Sequence, residues 1–189
     1  MEGAAPMNRV QPIRDAKTIS EIKKLLQEMN SKYYIMFTIG LNTGLRISDI
    51  LNLKAADIKG KSHVTVTEIK TGKTKRFLIN DQLKKEIERY IDAAGLADDE
   101  YIIFSRKGDN RPITRVQAYR VLNDAARKLQ LDEIGTHTMR KTFGYWHYRQ
   151  YKDVAILQDI FNHSAPRVTL RYIGINDDVK DDTLKDFFL

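Results

Sequence analysis

The chain has 189 residues, 42% hydrophobic and 30% charged, a balance that fits one soluble globular domain with a real core. It has no cysteine, which excludes disulfides and thiolate metal sites, and its four histidines predict no structural zinc site. No long apolar run and no basic-then-apolar leader occurs, so neither a membrane span nor a secretory signal is expected, and the cysteine-free composition suits a reducing, cytoplasmic setting.

Residues 1–6, MEGAAP, have the look of an expression remnant before a natural start at Met7, and the extended lead runs to residue 14. Thr18 with Glu21 predicts a capping box that opens a helix through ISEIKKLLQEMN, with Ile19, Ile22, Leu25, Leu26 and Met29 on one face. KYYIMFTIGLNTG is apolar nearly all round, which predicts a buried helix closed by Gly44. LRISDILNLK predicts a short helix with Ile47, Ile50, Leu51 and Leu53 inward. HVTVTEIK and KRFLIN, β-rich and separated by TGKT, predict a hairpin.

DQLKKEIERYIDAAG predicts an amphipathic helix stopped by Gly95, YIIFSRKG a further strand, and TRVQAYRVLNDAARKLQ a helix capped by Thr114. THTMRKTFGYWHYRQY, VAILQDIFN, APRVTLRYI and the tail predict more helices. The third of these takes Ser164 as N-cap, Pro166 in its first turn, and Val168, Leu170 and Tyr172 inward. The fold class expected is therefore α+β, mostly helical, over residues 15–175, with one small antiparallel sheet at an edge and a tail over 176–189.

The net charge of +7 is uneven: the tail after Tyr172 carries −3, which leaves +10 on residues 1–172. A basic body fits a polyanion partner, most often nucleic acid, and equally a soluble, mildly basic domain.

Four stretches hold polar residues that packing does not explain. In HTMR, His137 and Arg140 share a helix face at i, i+3, where a guanidinium can clamp a phosphate beside an imidazole that moves protons near neutrality. In TGLRISD, Arg46 is backed by an apolar stripe, and Asp49, one turn on, can orient it or an imidazole, or form an ordinary ion pair. The hairpin EIKTGKTKR puts Lys70, Lys73, Lys75 and Arg76 at a turn, where cations can reach a phosphate or merely keep the turn polar. In FNHSAPRVTLRYIG, a helix start explains Ser164 and Pro166 but not His163 or Tyr172.

A tyrosine hydroxyl that attacks a phosphodiester needs all of these groups. Its pKa of about 10 calls for a proton acceptor, the phosphoryl oxygens call for paired guanidiniums, and the leaving oxygen calls for an acid. Arg46, Lys70 or Lys73, His137, Arg140, His163 and Tyr172 supply that set with no metal and no cofactor. Of the other tyrosines, Tyr33 and Tyr34 read as core, and Tyr145, Tyr148 and Tyr151, near Trp146, as packing.

The set resembles the tyrosine recombinases, or phage integrases, which share a catalytic fold with type IB topoisomerases. The boxes TGLRISDILNL, KTGKTKRFLI, HTMRKTFG and LQDIFNHSAPRVTLRY stand in the family's order, with 23 residues from Arg140 to His163 and nine from His163 to Tyr172. The resemblance implies that Arg46 and Arg140 clamp the scissile phosphate and that Tyr172 attacks it, leaving a 3′-phosphotyrosyl link and a free 5′-hydroxyl. Lys70, with Lys73 as the fallback, would be the general acid. His137 would accept the Tyr172 proton or donate to the phosphate, His163 would donate to the phosphate, and Asp49 would support the site. Expected DNA contacts are Lys73, Lys75, Arg76, Lys141 and Arg167.

By resemblance the partners are double-stranded DNA and further copies of the chain in a tetrameric synapse, in a bacterial or phage-encoded cytoplasmic protein. Two departures stand out. Only a turn or two of chain precedes TISEIKK, as in the short catalytic-domain-only recombinases of the fimbrial-switch type or in a trimmed chain. FNH replaces the frequent Leu-Gly-His, with Asn162 expected in the left-handed conformation that glycine would supply. The acidic tail, with Leu184, Phe187 and Phe188, is expected to dock on a neighbouring protomer or on its own domain. Rival readings are a non-catalytic DNA-binding relative and a DNA-relaxing topoisomerase.

Overall fold

Asp15, not Thr18, opens the first helix, α1 (Ala16–Met29). Its carboxylate accepts from the Thr18 amide at 2.7 Å and from the Thr18 hydroxyl at 2.8 Å, so the expected cap moves three residues upstream, to the stronger acceptor. The computed structural model describes residues 10–67, 72, 74–106, 108, 110–132, 134–175, 184, 185 and 188. Lys70, Lys73 and most of the predicted tail helix lie outside the described residues.

Asn30 ends α1 and caps α2 (Ser31–Thr43), its side-chain oxygen accepting from the Lys32 amide. The apolar sequence of α2 is answered by its position: it packs against α1, α5 (Asp81–Ala94) and α7 (Thr138–Tyr151), and Ile35, Met36, Phe37 and Ile39 are fully buried. A Cβ on Gly40 would lie 2.8 Å from Met139, so the absence of a side chain lets α2 and α7 approach closely. Gly44 closes α2 in the left-handed conformation (φ 65°), as expected.

The short helices α3 (Ile47–Leu51) and α4 (Ala55–Ile58) then lead to β1 (His63–Thr67) and β2 (Thr74–Leu78). The strands pair antiparallel with Val64 opposite Phe77, and those two side chains turn to the core while Thr65 and Arg76 face out. Among the described residues this is the whole sheet, so the α+β, mostly helical class holds. α5 is capped by Asn80, which the sequence reading did not single out, and stopped by a left-handed Gly95, and α6 (Arg115–Lys128) is capped by Thr114; the Gly95 stop and the Thr114 cap are as the sequence predicts.

Among the described residues, YIIFSRKG forms no strand. It makes single bridges, Lys54 to Tyr101 and Phe104 to Pro112, and buries Ile102 and Ile103 completely. Its partners are loop segments, so the apolar run is satisfied by burial without a ladder.

The last helices are α8 (Val154–Phe161) and α9 (Pro166–Tyr172). Ser164 does not cap α9. Ala165 is the N-cap, without a side-chain bond, and Pro166 takes the first helical position. The face of α9 that turns inward is Thr169 and Ile173, both fully buried, while Val168 is exposed. A period near 3.6 puts Val168 and Tyr172, at i and i+4, on one side and Leu170, two residues from each, on another, so the three cannot share a face.

Phe161 and Ile173 belong to a second apolar cluster beside the main core, worth on the order of 1.5–3 kcal/mol per buried side chain. A Cβ on Gly144 would lie 2.6 Å from Ile173 and 2.7 Å from Phe161, so this glycine lets α8 and α9 seat on α7. The segment before α1 is also fixed to α7. The Ile13 amide donates to the Thr142 hydroxyl at 2.9 Å, and the Trp146 indole donates to the Ile13 carbonyl at 3.0 Å. Among the described residues, no helix is long and apolar enough to cross a membrane.

Candidate active site

Backbone geometry places each functional group. Arg46 is the N-cap residue of α3, immediately after the left-handed Gly44 and the buried Leu45. Arg140 lies one turn into α7, and His137 is that helix's N-cap, just outside the helix in which it was expected. Asn162 ends α8 in the left-handed conformation (φ 55°), as predicted, and sets His163 directly behind it. Tyr172 is the last residue of α9.

These groups converge. The Tyr172 hydroxyl is 3.3 Å from His137 Nδ1. The His163 ring meets the Tyr172 ring edge-on, centroids 5.0 Å apart, and Phe161 supports the same ring at 5.4 Å. Arg46, Arg140 and His137 line one cleft of about 650 Å³, joined there by Arg115 from the start of α6. Arg140 is almost fully buried. Its Nη1 donates to the Gly44 carbonyl and its Nη2 to the Phe161 carbonyl (3.0 Å), with the guanidinium stacked 4.4 Å from the Phe161 ring. Of five guanidinium N–H groups, these bonds use part and hold the plane fixed.

The electrostatics follow from burial among cations. Desolvation lowers the pKa of His137, and Lys141, Arg140, Arg115 and Arg46 push it further the same way. His163 is lowered by desolvation, then by Arg140, Arg46 and Lys75. Both rings are thus held neutral at pH 7, and a neutral imidazole with a bare Nδ1 can accept the tyrosine proton. Burial raises the Tyr172 phenol, opposed by the nearby guanidiniums of Arg140 and Arg46. The hydroxyl therefore keeps its proton until an acceptor takes it.

Other expected residues are placed differently. Asp49 is buried and lines a small cleft with Asp57 and the strand residues Thr65 and Thr67. Lys75 turns back onto the C-terminal end of α8, donating to the carbonyls of Asp159 and Ile160. Arg76 is exposed and its guanidinium donates to His63 Nδ1 at 2.9 Å. Arg167 is exposed in the first turn of α9. Lys141 points inward, to the Val10 carbonyl and the Tyr172 ring.

Sequence reasoning missed Thr169, whose buried hydroxyl lies 3.0 Å from His163 Nδ1 and fixes that ring. It also missed Arg115, although an Arg directly after a helix cap was a visible signal, and Phe161, which supports both Tyr172 and Arg140. Among the described residues, no group of three or more His, Asp or Glu is placed to hold a metal ion.

A mostly helical domain brings Arg46, Arg115, Arg140 and His137 to one cleft, with Tyr172 against His137 and His163 against Tyr172, a cation-rich arrangement suited to a phosphate. The sequence matches the phage integrase family over residues 17–178, and the chain belongs to that family, that of the tyrosine recombinases. It is 48% identical to the probable integrase/recombinase YoeC of Bacillus subtilis (strain 168), over 91% of this chain and 93% of that one. The fold is similar to that of the XerA recombinase, with a TM-score of 0.75 and 17% identity over 100% of this chain and 68% of that one. It is also similar to the XerH site-specific recombinase bound to difH substrate in a pre-cleavage complex, with a TM-score of 0.70 and 13% identity over 94% of this chain and 55% of that one.

Proposed function

We propose that this chain is a site-specific recombinase that cleaves and rejoins double-stranded DNA through a 3′-phosphotyrosyl intermediate, without metal or ATP. The observation that carries the reading is the Tyr172 hydroxyl within 3.3 Å of His137 Nδ1, beside a cleft that holds Arg46 and Arg140. The Tyr172 oxygen attacks phosphorus as its proton passes to His137. The P–O5′ bond breaks, and the 5′-oxygen takes a proton from Lys70, or from Lys73 in its place. Arg46 and Arg140, with His163, stabilise the charge that builds on the non-bridging oxygens. Reversal by another 5′-hydroxyl rejoins the strand. One phosphodiester exchanges for another through a bond of similar energy, so no external energy source is required.

Asp49 supports the Arg46 turn through its backbone, its amide donating to the Arg46 carbonyl at 2.9 Å. Arg76, Arg167 and Arg115 are exposed cations suited to phosphate contacts, with Lys75 joining them if its bonds to α8 release. The acting form is a homo-oligomer on DNA.

Nicked duplexes cut from the DNA flanking the gene test this reading. A nick beside the scissile phosphate lets the short product leave and traps the adduct. Wild type should give a detergent-resistant protein–DNA species and Tyr172→Phe none, with native binding retained. An adduct that persists in Tyr172→Phe would overturn the assignment.

A further inference from the structure

The segment before α1 grips the chain on both sides of Tyr172. Lys141 Nζ donates to the Val10 carbonyl at 2.8 Å, and the same ammonium stands 5.2 Å from the centroid of the Tyr172 ring. Arg14 Nη2 donates to the Gly174 carbonyl at 3.1 Å, two residues past Tyr172, while its guanidinium lies over the Tyr145 ring at 5.7 Å. Between these points Ile13 is tied to α7 through Thr142 and Trp146.

Two glycines make room for the arrangement. Gly174 has φ 77°, and a Cβ there would lie 2.7 Å from the Arg14 guanidinium; a Cβ on Gly135 would lie 3.0 Å from Val10.

Such a clamp has a physical purpose. α9 is seven residues long, and Tyr172 is its last residue, in the turn where helix hydrogen bonds run out. Thr169 and Ile173 anchor one face of α9. Neither anchors the phenol end of Tyr172.

We infer that Val10–Arg14, through Lys141 and Arg14, forms a clamp that holds the Tyr172 hydroxyl against His137, making Lys141 a positioning residue for the nucleophile and not a DNA contact. The inference rests on Tyr172 being the nucleophile. The cation over the ring face also favours the negative charge that develops on the phenol oxygen as its proton leaves.

The test uses the full chain with Lys141→Met, Lys141→Arg and Arg14→Met. Hydrogen exchange is read without DNA at the bonded amides of Ile173, Gly174 and Ile175. Adduct formation and binding are read on nicked duplexes. Lys141→Met and Arg14→Met should each speed exchange there by about tenfold and slow adduct formation by about as much, with affinity within about twofold of wild type. Lys141→Arg should recover both, since a guanidinium can still reach the Val10 carbonyl.

Unchanged exchange in both truncations overturns the clamp. So does a Lys141→Met that loses affinity and salt dependence with exchange unmoved, which would make Lys141 a phosphate contact. If Lys141→Met does not fold, Arg14→Met carries the same expectation at an exposed position. Failure of the nucleophile reading would show separately, as an adduct that survives Tyr172→Phe, and would leave the exchange result standing.

Discussion

His137 Nδ1 and the Tyr172 hydroxyl meet at 3.3 Å although 35 residues separate them, one at the start of α7 and the other at the end of α9. The phenol is pushed up by burial and the imidazole is pushed down by burial and by Lys141, Arg140, Arg115 and Arg46. The pair is therefore a protonated phenol beside an imidazole biased toward its neutral form, which can accept at Nδ1 as the tautomer protonated at Nε2.

The pH dependence follows from that pairing. Cleavage should be level from about pH 7 to about pH 9, where a lysine acid of ordinary value about 10.4 keeps its proton, and fall once the pH drops below the ordinary imidazole value of about 6.5, as His137 takes a proton and ceases to accept one. Replacing His137 by Gln should slow adduct formation by on the order of 10²-fold or more and flatten this limb. An acid limb identical in wild type and His137→Gln would contradict the role.

Folding should share the sign. His137, His147 and His163 are all lowered by burial, so the unfolded chain binds these protons more readily than the folded one. Their contribution to stability is full above about pH 6.5 and is lost as the pH falls below it. Urea midpoints measured at about pH 8 and about pH 5.5 should drop at the lower pH, before the carboxylates titrate. Equal midpoints would show that the rings are solvated.

The two arginines should separate stability from chemistry. Arg140→Ala leaves the Gly44 and Phe161 carbonyls without their donor inside the core, at a cost of about 1–3 kcal/mol, as well as ending cleavage. Arg46 is only half-buried, so Arg46→Ala should end cleavage with a smaller loss of stability. Thermal melts of both variants beside adduct assays check the contrast, and equal melting shifts would refute it.

Gly144→Ala should act on the nucleophile from beneath. Its new Cβ would sit 2.6 Å from Ile173 and 2.7 Å from Phe161, which forces α8 and α9 away from α7. The expected cost is about 1–3 kcal/mol in urea unfolding, with slower adduct formation because Phe161 also supports Arg140 and Tyr172. Wild-type stability in this variant would mean that the contact relaxes freely.

Thr169→Val tests the support of His163. The substitution keeps the shape of a fully buried side chain and removes the hydroxyl 3.0 Å from Nδ1. Stability should fall by about 1 kcal/mol and cleavage should slow with binding retained. Unchanged cleavage would show that His163 needs no such tether.

Much of this protein was legible in the order of its residues. The left-handed stops at Gly44, Gly95 and Asn162 depend on one residue's tolerance for positive φ, and the pairing of the strands in HVTVTEIK and KRFLIN depends on local β-rich composition, though their register came only with the structure. The grouping of Arg46, His137, Arg140, His163 and Tyr172 was expected from residue types that suit attack on a phosphodiester and from boxes and intervals that resemble those of the tyrosine recombinases.

What only the tertiary structure decided were bonds between distant segments. Lys75 and Lys141 became donors to backbone carbonyls of α8 and of the N-terminal segment, although both read as solvent-facing cations. Thr169 and Gly144 took their roles from what packs against them. Local propensity fixes backbone conformation within a few residues. Which carbonyl a long side chain reaches depends on the sum of all the packing, and that sum is not written in any short stretch.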